Sequence, residues 1–388
     1  VTPLARRLYA YAFLGDFVLL YPLYALLFED HGLSTAEISS LLAIWSVTGF
    51  VLEVPSGVWA DVVSRRRLLT LAPLLSGAAF GLWVAAPSYP VFALGFVLWG
   101  AQGALQSGAL EALVHDELER QGHADRYAEL LGRATACGTV ASATAIGLAA
   151  PAFALGGFGL VGAGSVLACG LAAAVGATFP EHRTAPAQRD PEAGLAAYGT
   201  VLRDGLAELR SSPAVRAALP AIPAVAAVWG SLDEYLPLLA VGTGVGEGTV
   251  PLLGLLVYAA MALGGVGAAR AAACSGRARA LLVLVAAAAL AAGALARVPA
   301  GFVLVALAFA VFQAVTVAVD ARLQEAIEGE ARSTVTSVAS LATEVVVLAV
   351  FGAYALGSLV ADDAVLFAVL AATYVPVAWL LARPDRTG

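Results

Sequence analysis

Long apolar stretches recur along this chain at a length that suits only one solvent. A hydrocarbon layer about 30 Å thick is crossed by about 20 helical residues rising 1.5 Å each. That ruler marks spans near 8–28, 38–60, 68–86, 90–114, 131–150 and 153–179, then 214–241, 249–271, 279–297, 299–321, 334–357 and 363–382. Irregular backbone cannot face lipid, and nothing here alternates as barrel strands do, so the spans are read as helices. Composition agrees. The sequence is 60% hydrophobic and 13% charged, against about 25% charged residues in soluble domains. The expected class is an all-α membrane protein of twelve transmembrane helices. The net charge of −7 carries no nucleic-acid signal, because the charges fall in short loops and at a few intramembrane positions.

Orientation rests on arginine alone, since the chain has no lysine. With an even number of spans, Arg6, Arg7, Arg65, Arg66, Arg67, Arg120, Arg126, Arg183, Arg270, Arg277, Arg279 and Arg383 fall on one side and Arg297 on the other. The positive-inside rule then places both termini in the cytoplasm, with the chain in the inner (plasma) membrane. Cys137, Cys169 and Cys274 show no pairing pattern and sit in or beside apolar segments, as small buried hydrophobes do.

One long polar connection, 180–213, divides the chain into an N-terminal bundle (1–179) and a C-terminal bundle (214–388). It contains Pro180, Pro186, Pro191 and Pro213, and the stretch from Glu192 to Arg210 could form a surface amphipathic helix. The two bundles look related. Ile38 to Trp45 aligns with Val250 to Val257 at an offset of 212, and Glu111 and Asp116 align with Asp320 and Glu325 at an offset of 209. Arg133 to Thr135 likewise matches Arg332 to Thr334. Parallel six-span repeats are a recognised membrane architecture.

Between the second and third spans the chain reads Gly57, then Asp61 four residues later, then Ser64 and the cluster Arg65, Arg66, Arg67. This loop resembles the signature of the major facilitator superfamily, and with the six-plus-six layout the resemblance covers essentially the whole chain. It implies two pseudo-symmetric six-helix bundles and a secondary transporter. Ser64 stands where the family usually has Gly, and Ala273 where the second-half copy would carry Asp. The Arg that often precedes Gln102-Gly103 in proton antiporters of the family is missing, as is the Gly-Pro pattern of span 5 in its drug antiporters. The resemblance also implies that Asp61 contacts the start of the eleventh helix and anchors a charge network latching a cytoplasmic gate. That role suits a carboxylate near a helix N-terminus, with arginine forks bridging to carboxylates such as Asp116. A solvated, topology-setting charge run is the other reading. Glu111, Asp320, Arg322, Glu325, Arg133 and Arg332 lie one or two turns inside the same end and are expected to pair across helices in this gate.

Asp16, Glu53, Asp233, Glu234 and Glu344 lie inside spans. Asp16 is about 13 Å along its helix from Arg7, and Glu344 about 18 Å from Arg332. A charge at the helix centre costs at least about 2.5–3.5 kcal/mol, so these carboxyls should face a wet cavity or exchange protons. A protonated carboxyl bonded to a neighbouring helix is the other possibility. Trp229, Tyr235, Tyr21, Gln313, Trp45 and Trp99 could add stacking and hydrogen bonds in the cavity, or mark the bilayer interfaces. An acidic interior without matching cations disfavours an anionic cargo. The expected function is proton-coupled export of a small amphipathic compound, cationic or neutral, by a monomer using the proton gradient and no cofactor or metal. Proton symport of a neutral metabolite and a non-transporting sensor or scaffold are the alternatives. No nucleophile–base set or zinc-type motif points to an enzyme; His31, His115, His123 and His182 all lie near loops or span ends.

Overall fold

In the computed structural model the chain divides into two compact units, Val1–Tyr198 and Gly199–Gly388. The structure describes residues 2–182, 219–326 and 332–382; the side chains of 2, 54, 55, 57, 58, 60–62, 325, 326, 332–334 and 337 lie outside that description. The proposed amphipathic stretch from Glu192 to Arg210 falls outside it as well. Every regular element among the described residues is helical.

Unit 1 contains α1 (Thr2–Asp16), α2 (Tyr24–Asp30), α3 (Thr35–Val62), α4 (Arg65–Ala85), α5 (Tyr89–Arg120) and α6 (Tyr127–Ala177). Unit 2 contains α7 (Ala221–Asp233), α8 (Leu236–Val241), α9 (Val250–Ala273), α10 (Gly276–Leu295), α11 (Phe302–Ala326), α12 (Arg332–Gly357), α13 (Asp363–Ala372) and α14 (Tyr374–Ala382). Nine stretches among the described residues are long and apolar enough to cross a membrane. One of them, Ala124–Ala177, has 54 residues and serves as two spans. Helix α5 and the α7–α8 pair supply the remaining two, giving the twelve spans read from hydropathy.

Local chemistry sets the helix boundaries. Ser34 and Glu37 form a reciprocal capping box at the start of α3. Ser64 caps α4 by accepting from the Arg67 N–H at 3.2 Å, and Ser275 caps α10 by accepting from the Ala278 N–H at 3.2 Å. These two caps open equivalent helices of the two units, so Ser64 in place of the family's Gly has a structural use. The turn inside α6 falls at Gly156 and Gly157, a few residues past the boundary expected near 151. Gly157 takes φ 56° and ψ −154°, a region that glycine alone enters readily, while Pro151 remains within the helix.

The two units share one packing scheme. In unit 1, α3 and α4 both pack on α5, α1 packs on α6, and α4 packs on α6. In unit 2, α9 and α10 both pack on α11, α7 packs on α12, and α10 packs on α13 and α14. Spans in lipid attract each other through close packing, which small residues permit. Gly264 of α9 lies so near α11 that a Cβ there would sit 2.1 Å from the Ala310 carbonyl oxygen.

Polar ties close the arginine-rich end of unit 1. Glu117, beyond the apolar part of α5, is only 5% exposed. Its carboxylate accepts from Arg120 Nη2 at 2.5 Å and Gln121 Nε2 at 2.8 Å, and lies 3.0 Å from His182 Nδ1, which follows the last span of the unit. The hydrogen bond from Arg120 outweighs burial and, with those from Gln121 and His182, holds this carboxyl far below its usual range, at about 2.

Two expectations follow from this packing. Gly264→Ala should destabilise the protein by about 1–3 kcal/mol through overpacking, whereas Gly265→Ala, with open space around it, should not; thermal unfolding in detergent measures both. Glu117→Gln should lower stability at pH 7 by about 1.5–3 kcal/mol, the worth of hydrogen bonds to a charged group. A depressed carboxyl contributes stability that is complete above its unfolded value near 4.5 and lost as pH falls toward about 2. The difference between Glu117→Gln and wild type should therefore persist from pH 7 to about 5 and narrow only below that.

Candidate functional site

The first span of each unit is broken, and in each the first helical piece ends on an aspartate. Helix α1 stops at Asp16, and the chain runs through a 3-10 turn at Tyr21–Leu23 before α2 begins. Helix α7 stops at Asp233, and α8 resumes at Leu236 after Glu234 and Tyr235. Pro22 and Pro237 lie at the first turn of the resumed segments, where a missing N–H is tolerated.

The groups freed in the first break find partners on α6. Ser142 Oγ donates to the Asp16 carbonyl at 3.4 Å, and the Leu20 N–H donates to Ser165 Oγ at 3.0 Å. The Asp16 side chain rests against Gly138, where a Cβ would meet Asp16 Oδ2 at 2.0 Å. It is exposed and has no hydrogen bond or ion pair among the described residues.

An aromatic wall stands in the same unit. Trp99 of α5 stacks on Trp45 of α3 with ring centroids 5.4 Å apart and meets Tyr21 edge-on at 6.2 Å. These three are half-buried. Behind them Tyr24, Phe80, Trp83 and Phe96 form a buried aromatic core that fixes the Trp99 ring. One turn along α5, Gln102 Nε2 donates to Gln106 Oε1 at 2.7 Å.

In unit 2 the Tyr258 hydroxyl of α9 donates to Asp233 Oδ2 at 2.6 Å. Trp229 Nε1 donates to Thr316 Oγ1 of α11 at 3.1 Å. The Tyr374 hydroxyl accepts from the Trp229 N–H and donates to the Val225 carbonyl, each at 3.1 Å. It thereby binds an amide and a carbonyl four residues apart inside α7. Tyr235 is fully buried and stacks on Tyr354 at 3.7 Å, so its ring belongs to the core of the unit. Glu234, Gln313 on α11 and Glu344 on α12 are half-buried, and Glu53 is exposed on α3.

The charged positions near the helix ends group locally. Arg65 Nη1 reaches Asp116 Oδ2 at 2.5 Å, joining α4 to α5. Glu181 accepts from the Arg65 N–H at 2.8 Å and from Ser64 Oγ at 2.5 Å, joining the end of the last span to the start of α4. Arg133 pairs with Glu129 on its own helix at 2.9 Å. Arg66, Glu111 and Asp320 are exposed without an ion pair among the described residues, and Arg322 is half-buried with partners. Gly57 and Asp61 lie on α3, Glu325 lies in the last turn of α11 and Arg332 opens α12, with their side chains outside the described set. Sequence reasoning missed Gly138, Ser142, Tyr258, Thr316, Tyr374 and Glu181. Each acts across helices, which no one-dimensional pattern displays.

Comparison with known proteins agrees with this architecture. The sequence model of the Major Facilitator Superfamily matches residues 8–352. A mutant form of the nucleoside transporter NupG superposes with a TM-score of 0.73 at 12% identity, over 97% of this chain and 98% of that one. A D-xylose–proton symporter gives 0.69 at 13% identity, over 100% and 98%. A bacterial homologue of the lysosomal transporter Spinster gives 0.66 at 15% identity, over 98% and 97%. At such identities these likenesses concern the fold alone. No curated protein sequence matches the chain. With twelve spans in two like-packed units and a family match over most of its length, the chain belongs to the major facilitator superfamily.

Proposed function

We propose that the chain is a proton-coupled secondary transporter that exports a small amphipathic solute, cationic or neutral, by alternating access. The observation that carries this reading is the repeated break with an aspartate at its edge, Asp16 in unit 1 and Asp233 in unit 2. Discontinuous spans at corresponding places in two repeats turn backbone polar groups inward, and such places hold substrates and coupling ions. A carboxyl kept at that depth against an insertion cost of about 2.5–3.5 kcal/mol is suited to gaining and losing a proton. Glu344, Glu53 and Glu234 are further candidates for the same route, with Gln313 and Trp229 near it.

The solute class rests on unit 1. A stacked indole pair beside Tyr21 offers π faces to a flat or cationic group, and the acidic positions attract rather than repel positive charge. In this reading the charged helix ends serve gating, Arg65 with Asp116 in unit 1; Asp320 and Arg322 are candidates for the same task in unit 2. The arginine distribution favours both termini on the cytoplasmic side of the inner membrane, and the proposed working unit is a single chain. Proton symport of a neutral solute is the second reading, favoured by the Gln102–Gln106 pair beside the indoles, which suits uncharged hydrogen-bonding groups.

Purified protein in liposomes separates the two, with ethidium as the cationic probe and uridine as the neutral one. Export by antiport predicts ethidium accumulation under an interior-acid gradient. Symport predicts uridine accumulation under an exterior-acid gradient. Asp16→Asn and Asp233→Asn should each reduce gradient-driven flux of the transported probe more than tenfold while leaving gradient-free exchange measurable; normal coupled flux in both variants would refute the proton role. Trp99→Ala should raise half-saturation for ethidium by about 2–30-fold, as loss of a cation–π contact of about 0.5–2 kcal/mol requires. Trp99→Phe should restore most of that loss.

A further inference from the structure

A groove of ≈ 600 Å³ runs along unit 1 between α1 and the second half of α6. Its floor is apolar: Ala10 and Leu14 from one helix, Leu171, Ala174 and Val175 from the other. Their spacing places each set on a single helical face. Alanines at positions 10 and 174 leave the space that larger side chains would fill. At its mouth stand Arg6 and Arg7. Neither guanidinium has an ion pair or hydrogen bond among the described residues, although other arginines of the unit, such as Arg65, Arg120 and Arg133, are paired.

From Pro3 to Leu14 the groove follows α1 for about 16 Å, about half the 30 Å hydrocarbon thickness and so the depth of one leaflet. Charge is confined to one end and the rest is apolar. A soluble anion would use the mouth and leave the floor empty; a neutral hydrophobe would use the floor and leave two cations unmatched. An amphiphile with an anionic head and an alkyl chain uses both. Basic pockets between spans on the positive side of a membrane bind acidic headgroups in this way.

We infer that this groove is a binding site for an anionic phospholipid, with the phosphate on Arg6 and Arg7 and an acyl chain along Ala10, Leu14, Leu171 and Val175. The site lies apart from Trp45 and Trp99, and its occupancy does not depend on which solute the protein carries.

Native mass spectrometry of the full chain in detergent, titrated with phosphatidylglycerol or phosphatidylcholine, tests the assignment. One phosphatidylglycerol should be retained per chain in clear preference to phosphatidylcholine, and inorganic phosphate at matched concentration should not displace it. Arg6→Gln with Arg7→Gln should weaken retention by about 30-fold, as loss of about 1 kcal/mol per basic residue requires. Ala10→Leu with Ala174→Leu, which fills the floor and keeps both arginines, should abolish retention while the protein stays monodisperse. Equal retention of the two lipids, displacement by phosphate, or undiminished retention in the groove-filling variant would each overturn the proposal. These readouts involve no transport, so they remain decisive if the coupling mechanism proposed above is wrong.

Discussion

Backbone amides and carbonyls have no water to bond with inside a bilayer, and that constraint governs where this chain may depart from a helix. An unsatisfied peptide group in hydrocarbon costs several kcal/mol, so a break survives only where the rest of the protein supplies partners. At the first break, Ser142 and Ser165 take up the Asp16 carbonyl and the Leu20 N–H. In unit 2 the Tyr374 hydroxyl bonds the Trp229 N–H and the Val225 carbonyl inside α7, ahead of the break, and at the break itself the Tyr235 N–H donates to the Leu232 carbonyl at 3.1 Å. The two breaks are held differently, yet in both units the first helical piece stops on an aspartate.

Those partners also stiffen the site. Serines on α6 tie the first break to the helix that cradles the Asp16 carboxyl at Gly138. Tyr258 does the corresponding work for Asp233 from α9, with a hydrogen bond in place of a glycine notch. One aspartate is accessible and without a partner among the described residues; the other is half-buried and bonded to a phenol. Two carboxyls at equivalent places in the two units thus sit in unlike settings, one against a glycine notch and one against a phenol hydroxyl.

How much of this could be read from the sequence depends on the range of the interaction. Spans are legible because twenty apolar residues in a row have one physical meaning, and each of the twelve stretches is mostly helical over its described residues. The breaks were hidden because hydropathy averages over a whole span: Phe17 to Leu20 is as apolar as the helix before it. Pro22 and Pro237 were the available local signals, and a proline inside a span marks a place where the ladder needs outside help. The turn at Gly156–Gly157 lies a few residues past the boundary read from hydropathy, because alanines and glycines on both sides of it are about equally apolar, and Pro151 stays within the helix. Asp16 and Asp233 stood out as charges in apolar surroundings. Tyr258, Thr316 and Gly138 did not, because a hydroxyl or glycine on another helix carries no mark of the carboxyl or indole it meets.

The signature loop shows how a family pattern and local physics divide the work. Its glycine position is filled by Ser64, which caps α4 and donates to Glu181, while Arg65 donates its backbone N–H to Glu181 and its guanidinium to Asp116. Three spans of unit 1 thus meet at two adjacent residues. Such a knot has a consequence for any movement at this end: shifting the start of α4 alone would break the bonds of Ser64 and Arg65 to Glu181 together with the Arg65–Asp116 pair. Surface ion pairs taken singly are worth about 0–1 kcal/mol, but this one shares its residue with a helix cap and a carboxylate from another span. Movement at this end is therefore cheaper for the unit as a whole than for the loop alone, because rigid displacement keeps the four-residue knot intact.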